Sequence, residues 1–176
     1  LMSSKVRPNQ YTLKKQVSCC GVGLHSGRAV NLTIKPASVN SGIRFFRTDL
    51  DYNSHIQAHM DKVIDTRLAT TIGNGHISIS TTEHLMAALK AYGIDNADIE
   101  LDGAEVPIMD GSAAPFFNLI KKSGKKKQNG NRKALRITKP ITFKDGDSLI
   151  TIKPYNGFKV TSKIHFADTL IDTQEY

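Results

Sequence analysis

Apolar and polar residues alternate most regularly at Val30, Leu32 and Ile34, which are interleaved with Asn31, Thr33 and Lys35 and stopped by Pro36. A period of two belongs to a strand with one buried face, so the spacing predicts a strand there. Ile43 to Arg47 is a second short run after the turn signal Asn40-Ser41-Gly42, and Ala97, Ile99 and Leu101 alternate with Asp98, Glu100 and Asp102. Between them the period changes. Leu85, Ala88, Leu89 and Tyr92 recur at the three-and-four spacing of one helix face, which predicts a helix over 81–92 closed by Gly93. Phe116, Phe117, Leu119 and Ile120 predict another from Ala113 to Lys122, ending near Gly124, with Ser112 as its N-cap. Helices and half-buried strands in this order predict an α/β fold, an α+β two-layer sandwich.

The rest of the pattern divides the chain. Residues 1–10 read as an N-terminal extension and 11–122 as a first two-layer domain. Residues 123–133 read as a basic linker, because the run from Lys121 to Lys133 has almost no apolar side chain. In 134–176, Leu135 to Ile137, Ile141 to Phe143, Leu149 to Ile152 and Phe158 to Phe166 read as strands, with hairpin turns at Asp145-Gly146 and Asn156-Gly157. No helix follows to cover them, so this part reads as an incomplete second domain. Apolar residues such as Ile150, Ile152, Val160 and Ile164 are then expected to lack a buried face.

Charge and cysteine usage narrow the function classes. The formal net charge is +8, and Lys121, Lys122, Lys125, Lys126, Lys127, Arg132 and Lys133 supply all but one unit of it. A basic run without interleaved aromatics gives salt-sensitive attraction to phosphates and no base readout, so specific nucleic-acid binding ranks low. Cys19 and Cys20 are neighbours, which suits neither an ordinary disulfide nor a metal clip. No secretory leader or membrane-length apolar run is visible, and a soluble cytoplasmic protein is the simplest expectation.

Candidate chemistry centres on Ser80-Thr81-Thr82-Glu83-His84. Ser80 and Glu83 have the spacing of a capping box, in which each side chain satisfies a backbone N–H of the other. Glu83 and His84 also pair a general base with a metal ligand at a rigid helix start, and the two readings are compatible. Gly21 to Gly27 holds three glycines but lacks the dinucleotide spacing and any following Gly-Lys-Ser/Thr, so it reads as a hairpin or bulge, and His25 within it as a surface histidine. Asp110-Gly111 reads as a turn fixed by the aspartate side chain. His55 and His59 are four apart, yet their surroundings read as strand and loop, which favours a solvated pair.

Taken in order, these segments resemble one family. Gly-Val-Gly-Leu-His-Ser-Gly at 21–27, Arg-Thr-Asp-Leu at 47–50, Asp-Thr-Arg-Leu-Ala-Thr-Thr at 65–71, Ser-Thr-Thr-Glu-His-Leu-Met-Ala-Ala-Leu at 80–89, Gly-Ile-Asp-Asn at 93–96, Glu-Val-Pro-Ile-Met-Asp-Gly-Ser-Ala-Ala-Pro-Phe at 105–116 and Lys-Pro-Tyr-Asn-Gly-Phe at 153–158 are similar to the zinc-dependent UDP-3-O-acyl-N-acetylglucosamine deacetylases of lipid A biosynthesis. The resemblance runs from about Tyr11 to the last residue. It implies that Glu83 is the general base for the attacking water and His84 a ligand of Zn2+. It further implies that Leu68, Ala69 and His25 lie on the substrate, and that Phe166 meets the uridine.

The chain departs from that pattern in two places. The family draws two further zinc ligands from a His-x-x-x-Asp motif, which is absent here, so they are expected beyond residue 176. His165 stands where an acidic residue is expected beside Phe166. The sequence thus reads as the first part of such an enzyme, inactive alone; a truncated non-catalytic remnant is the alternative, and a basic RNA-binding module a more distant one. The expected partner is a UDP-sugar lipid precursor, met by a monomer in transient contact with the inner membrane surface.

Overall fold

The computed structural model describes residues 8–50, 55–167 and 170–176. They form two compact units, divided after Arg132.

The first unit contains strands β1 (Asn9–Leu13), β2 (Val17–Val22), β3 (Ala29–Pro36), β4 (Ile43–Arg47), β5 (His55–Gln57), β6 (Val63–Asp65), β7 (Thr71–Gly73) and β8 (Ser78–Ile79), helix α1 (Glu83–Tyr92), strand β9 (Ala97–Leu101), helix α2 (Ala114–Ser123) and strand β10 (Lys125–Asn131). The main sheet runs β2-β3-β9-β4-β5, antiparallel except for the parallel pair β4 and β9. β6, β7 and β8 make a smaller antiparallel sheet.

The alternation along β3 and β9 does what its period demands. Val30, Leu32, Ile34, Ile99 and Leu101 join one buried cluster with Leu85, Ala88 and Leu89 of α1 and Phe116 and Ile120 of α2. The polar partners fall on the other face, where Lys35 meets Glu100 at 2.7 Å and Arg44 grips Asp98 through two hydrogen bonds. One sheet carrying two helices on its buried face is the expected two-layer arrangement. Gly93 ends α1 in the left-handed conformation, φ 81°, as its position after Tyr92 suggests.

Two features of the first unit differ from the sequence reading. β1, β2 and the short strands β5 to β8 lack a long alternation and escape the pattern. The basic stretch is not a linker throughout: Lys125 to Asn131 pairs antiparallel with β1, Leu13 opposite Lys125 and Thr12 opposite Lys126. Its apolar content is supplied by the partner strand, since Leu13 is fully buried. Arg132 closes the pairing by donating two hydrogen bonds to Asp95, at 2.6 and 2.8 Å, and another to the Gly93 carbonyl.

The second unit holds hairpin β11 (Ile141–Asp145) with β12 (Ser148–Ile152), and strand β13 (Lys163–Phe166) paired with β14 (Asp172–Glu175). The turn after Asp145 is as expected, with Gly146 at φ 54°. Residues 135–137 form no strand, Asn156-Gly157 joins no hairpin, and the long run ending at Phe166 is a strand only in its last four residues. None of the unit's described residues is buried.

Candidate active site

Helix α1 starts at Glu83, but not as a capping box. The N–H of Ser80 donates to the Ala104 carbonyl at 2.9 Å, and no side chain caps the helix. The bend after β9 has taken the donor that the box would have satisfied. The Glu83 carboxylate instead accepts from the backbone N–H of Thr70 at 3.0 Å, while the Thr82 hydroxyl donates to the Thr70 carbonyl at 3.1 Å. Glu83 is therefore held from the side, half-buried, without being spent on the helix end.

The residues ahead of Thr70 give this edge its character. Leu68 lies in the left-handed region, φ 65°, with its side chain 89% exposed, whereas Ala69 is buried. A leucine held at positive φ carries backbone strain, which concentrates at functional sites. Leu68 and Ala69 are thus joined to Glu83 through the bond from the next residue, Thr70.

His84 follows Glu83 on the helix and is half-buried. Asp110 faces it closely enough to feel its charge. That carboxyl sits below the usual range chiefly because Ser112 donates to it from both hydroxyl and backbone N–H, with His84 adding to the effect. The aspartate does the turn-fixing job read from Asp110-Gly111. Ser112 acts at the start of α2 by accepting from the Ala114 N–H at 3.2 Å, although the helix boundary falls one residue later than expected.

The residue that sequence reading overlooked is Glu105. It is 4% exposed and has no cationic partner among the described residues; its carboxylate accepts from the backbone N–H groups of His25 and Ser26, at 3.0 and 2.8 Å, and from the Thr81 hydroxyl at 3.0 Å. Burial alone would raise its pKa, yet these donors together hold it below the ordinary glutamate value. One side chain thus ties the glycine-rich turn between β2 and β3 to the segment entering α1. The turn is a hairpin, as read, and a Cβ at Gly23 would overlap the Glu105 carboxylate and the Ser26 hydroxyl. The signal for Glu105 was an acid flanked by Ala104, Val106 and Pro107, where a strand face would turn inward.

His25 is exposed, and its place here is fixed by its backbone. Phe166 lies in the second unit, 51% exposed. His165 beside it bonds the Thr173 hydroxyl at 2.8 Å. His55 and His59 are exposed, and His59 pairs with Asp61 rather than with its fellow histidine. Among the described residues no group of three or more His, Cys, Asp or Glu is placed to hold a metal ion. His84 offers one donor where a catalytic zinc takes about three from the protein, so these residues do not by themselves fit the metal.

A carboxylate and an imidazole thus stand side by side at a helix start, edged by a loop with one residue at positive φ. Residues 10–176 match the family of UDP-3-O-acyl N-acetylglycosamine deacetylases, LpxC, and the chain belongs to that family. It is 51% identical over 157 residues to a protein of Acidithiobacillus ferrooxidans named UDP-3-O-acyl-N-acetylglucosamine deacetylase, covering 89% of this chain and 52% of that one. Proteins of the same name from Syntrophus aciditrophicus and Geobacter sp. strain M21 are 47% and 48% identical, covering 95% and 94% of this chain and 53% and 54% of theirs. The chain spans about half the length of these relatives.

Proposed function

We propose that this chain carries the general-base half of a UDP-3-O-acyl-N-acetylglucosamine deacetylase, which removes the N-acetyl group in an early committed step of lipid A biosynthesis. The carrying observation is Glu83: its carboxylate is anchored through Oε2 by the Thr70 N–H, and Oε1, which no described residue engages, would take a proton from water attacking the amide. Anchoring matters because a base must be held within hydrogen-bond reach of the proton it removes. Leu68 and Ala69 bound the reacting end of the substrate, and His25 is brought alongside by Glu105. Phe166 would stack on the uridine.

Zinc dependence rests on the family resemblance. A bound zinc would polarise the amide carbonyl and acidify the water. His84 would be one ligand, the others coming from outside the described residues. The whole enzyme to which this half belongs would act as a monomer on a UDP-sugar lipid precursor, without specific nucleic acid, in the cytoplasm. Among the described residues no helix is long and apolar enough to cross a membrane.

The purified chain, given zinc and UDP-3-O-acyl-N-acetylglucosamine, is expected to bind the metal weakly and release no acetate above background. A chimera in which residues 10–176 replace the matched part of the Acidithiobacillus ferrooxidans relative is expected to turn over. Zinc-dependent turnover by the chain alone would overturn the half-site reading, and an inactive but folded, zinc-loaded chimera would overturn the deacetylase reading.

A further inference from the structure

The β1–β10 pairing converts a basic stretch of sequence into a basic surface. Lys14 and Lys15 leave the end of β1, Lys121 and Lys122 occupy the last turn of α2, and Lys125, Lys126 and Lys127 open β10. They converge because the Lys14 N–H donates to the Gly124 carbonyl at 3.0 Å, which pins the end of β1 to the junction of α2 and β10. All seven are exposed, and among the described residues none pairs with a carboxylate. Lys14, Lys126 and Lys127 also line a groove against residues 36–39, whose remaining lining, Gln128 and Asn129 among it, is uncharged.

Seven lysines crowd around this one junction, three of them, Lys14, Lys126 and Lys127, along one groove, and their charges repel one another, so the surface is matched by something densely negative. Lysines are point charges that neither form bidentate contacts nor stack, and the aromatic rings nearby are already used: Tyr11 and Tyr92 lie beneath Lys125, their centroids 4.9 and 5.2 Å from its Nζ. The face thus lacks a stacking platform for bases and suits a diffuse sheet of charge. We infer that this lysine face docks the first unit on an anionic phospholipid surface. The inference rests on the proposed function in one respect, that a substrate carrying an acyl chain resides where lipids are. A competing role exists within the fold, since lysines also guard an outer strand such as β10 against pairing with another chain.

The test is cosedimentation of the full chain with vesicles of phosphatidylcholine alone and of phosphatidylcholine with 30 mol% phosphatidylglycerol, a composition chosen as about that of a moderately anionic membrane. Binding is expected only to the anionic vesicles and to vanish in high salt. Replacing Lys121, Lys122, Lys126 and Lys127 by glutamine should weaken it by a hundredfold or more, at roughly fivefold per lysine. Equal binding to both vesicles, or binding that the glutamine variant retains, overturns the proposal. So does preferential capture by single-stranded RNA at equal phosphate concentration, or no binding together with self-association of the variant, which would leave edge protection as the lysines' role. None of these outcomes bears on deacetylation, which the chimera tests separately.

Discussion

The backbone N–H of Thr70 donates to Oε2 of Glu83 at 3.0 Å, across the gap between strand β7 and helix α1. That bond removes Glu83 from the capping role its spacing with Ser80 suggests and attaches it to the loop bearing Leu68 and Ala69.

Glu105 is the second fixed point, and its removal should loosen two segments at once. Glu105→Gln keeps the volume but turns an amide N–H2 toward groups that are themselves donors, so at least one of the His25, Ser26 and Thr81 bonds is lost. A destabilisation of about 1.5–3 kcal/mol is expected, the scale of hydrogen bonds to a charged group. Urea denaturation gives the value; a loss within about 0.5 kcal/mol of zero, the range of ordinary surface changes, would mean the carboxylate is not an anchor.

The acid dependence has a definite sign. Glu105 is held below its ordinary value of 4.5 in the folded chain, so its contribution is fully present above that value and is lost as pH falls through the folded one. Amide exchange at His25 and Ser26, corrected for intrinsic rates, should therefore accelerate more between pH 5 and 3, about the glutamate range, than exchange in β9. An equal response in both places would contradict it.

Arg132 and Asp95 lock β10 onto the unit. Arg132→Ala should free the β1–β10 pair at its outer end and cost about 1–2 kcal/mol, more than an exposed pair because the contact is bidentate and partly buried. Faster amide exchange at Tyr11, whose N–H also donates to Asp95, is the local readout. Unchanged exchange there would show that the strand pairing holds without the clamp.

In the second unit, Phe143, Leu149, Ile150 and Val160 are each more than half exposed. Hairpins of two strands are marginal in water without a face to pack on. Residues 141–152 should exchange far faster than 97–101, and the isolated chain should associate as its concentration rises. Protection as strong as that of β9 in a monomer would contradict this.

What was legible in the sequence was what repeats. Val30, Leu32 and Ile34 announced β3, Leu85, Ala88 and Leu89 announced α1, and each found the core predicted for it. β10 was illegible because a strand of Lys-Lys-Lys-Gln-Asn-Gly-Asn carries no apolar period; its order comes from β1, more than a hundred residues away, and from the Arg132 clamp on Asp95. The same holds at the site. Glu83 and His84 stood out as neighbours, but the bond to Thr70 and the three donors converging on Glu105 are made by tertiary contact, and local spacing pointed to the wrong partner for Ser80.

The central claim is that Glu83 is the proton acceptor, and Glu83→Gln in the active chimera tests it most directly. Glutamine keeps an oxygen for the Thr70 N–H, so the melting temperature should barely move and the stability change should stay below about 1 kcal/mol. It cannot accept a proton, so kcat should fall by roughly a hundredfold or more with zinc content unchanged. His84→Ala should instead lose zinc together with activity. Near-normal kcat in folded, zinc-loaded Glu83→Gln would contradict the account.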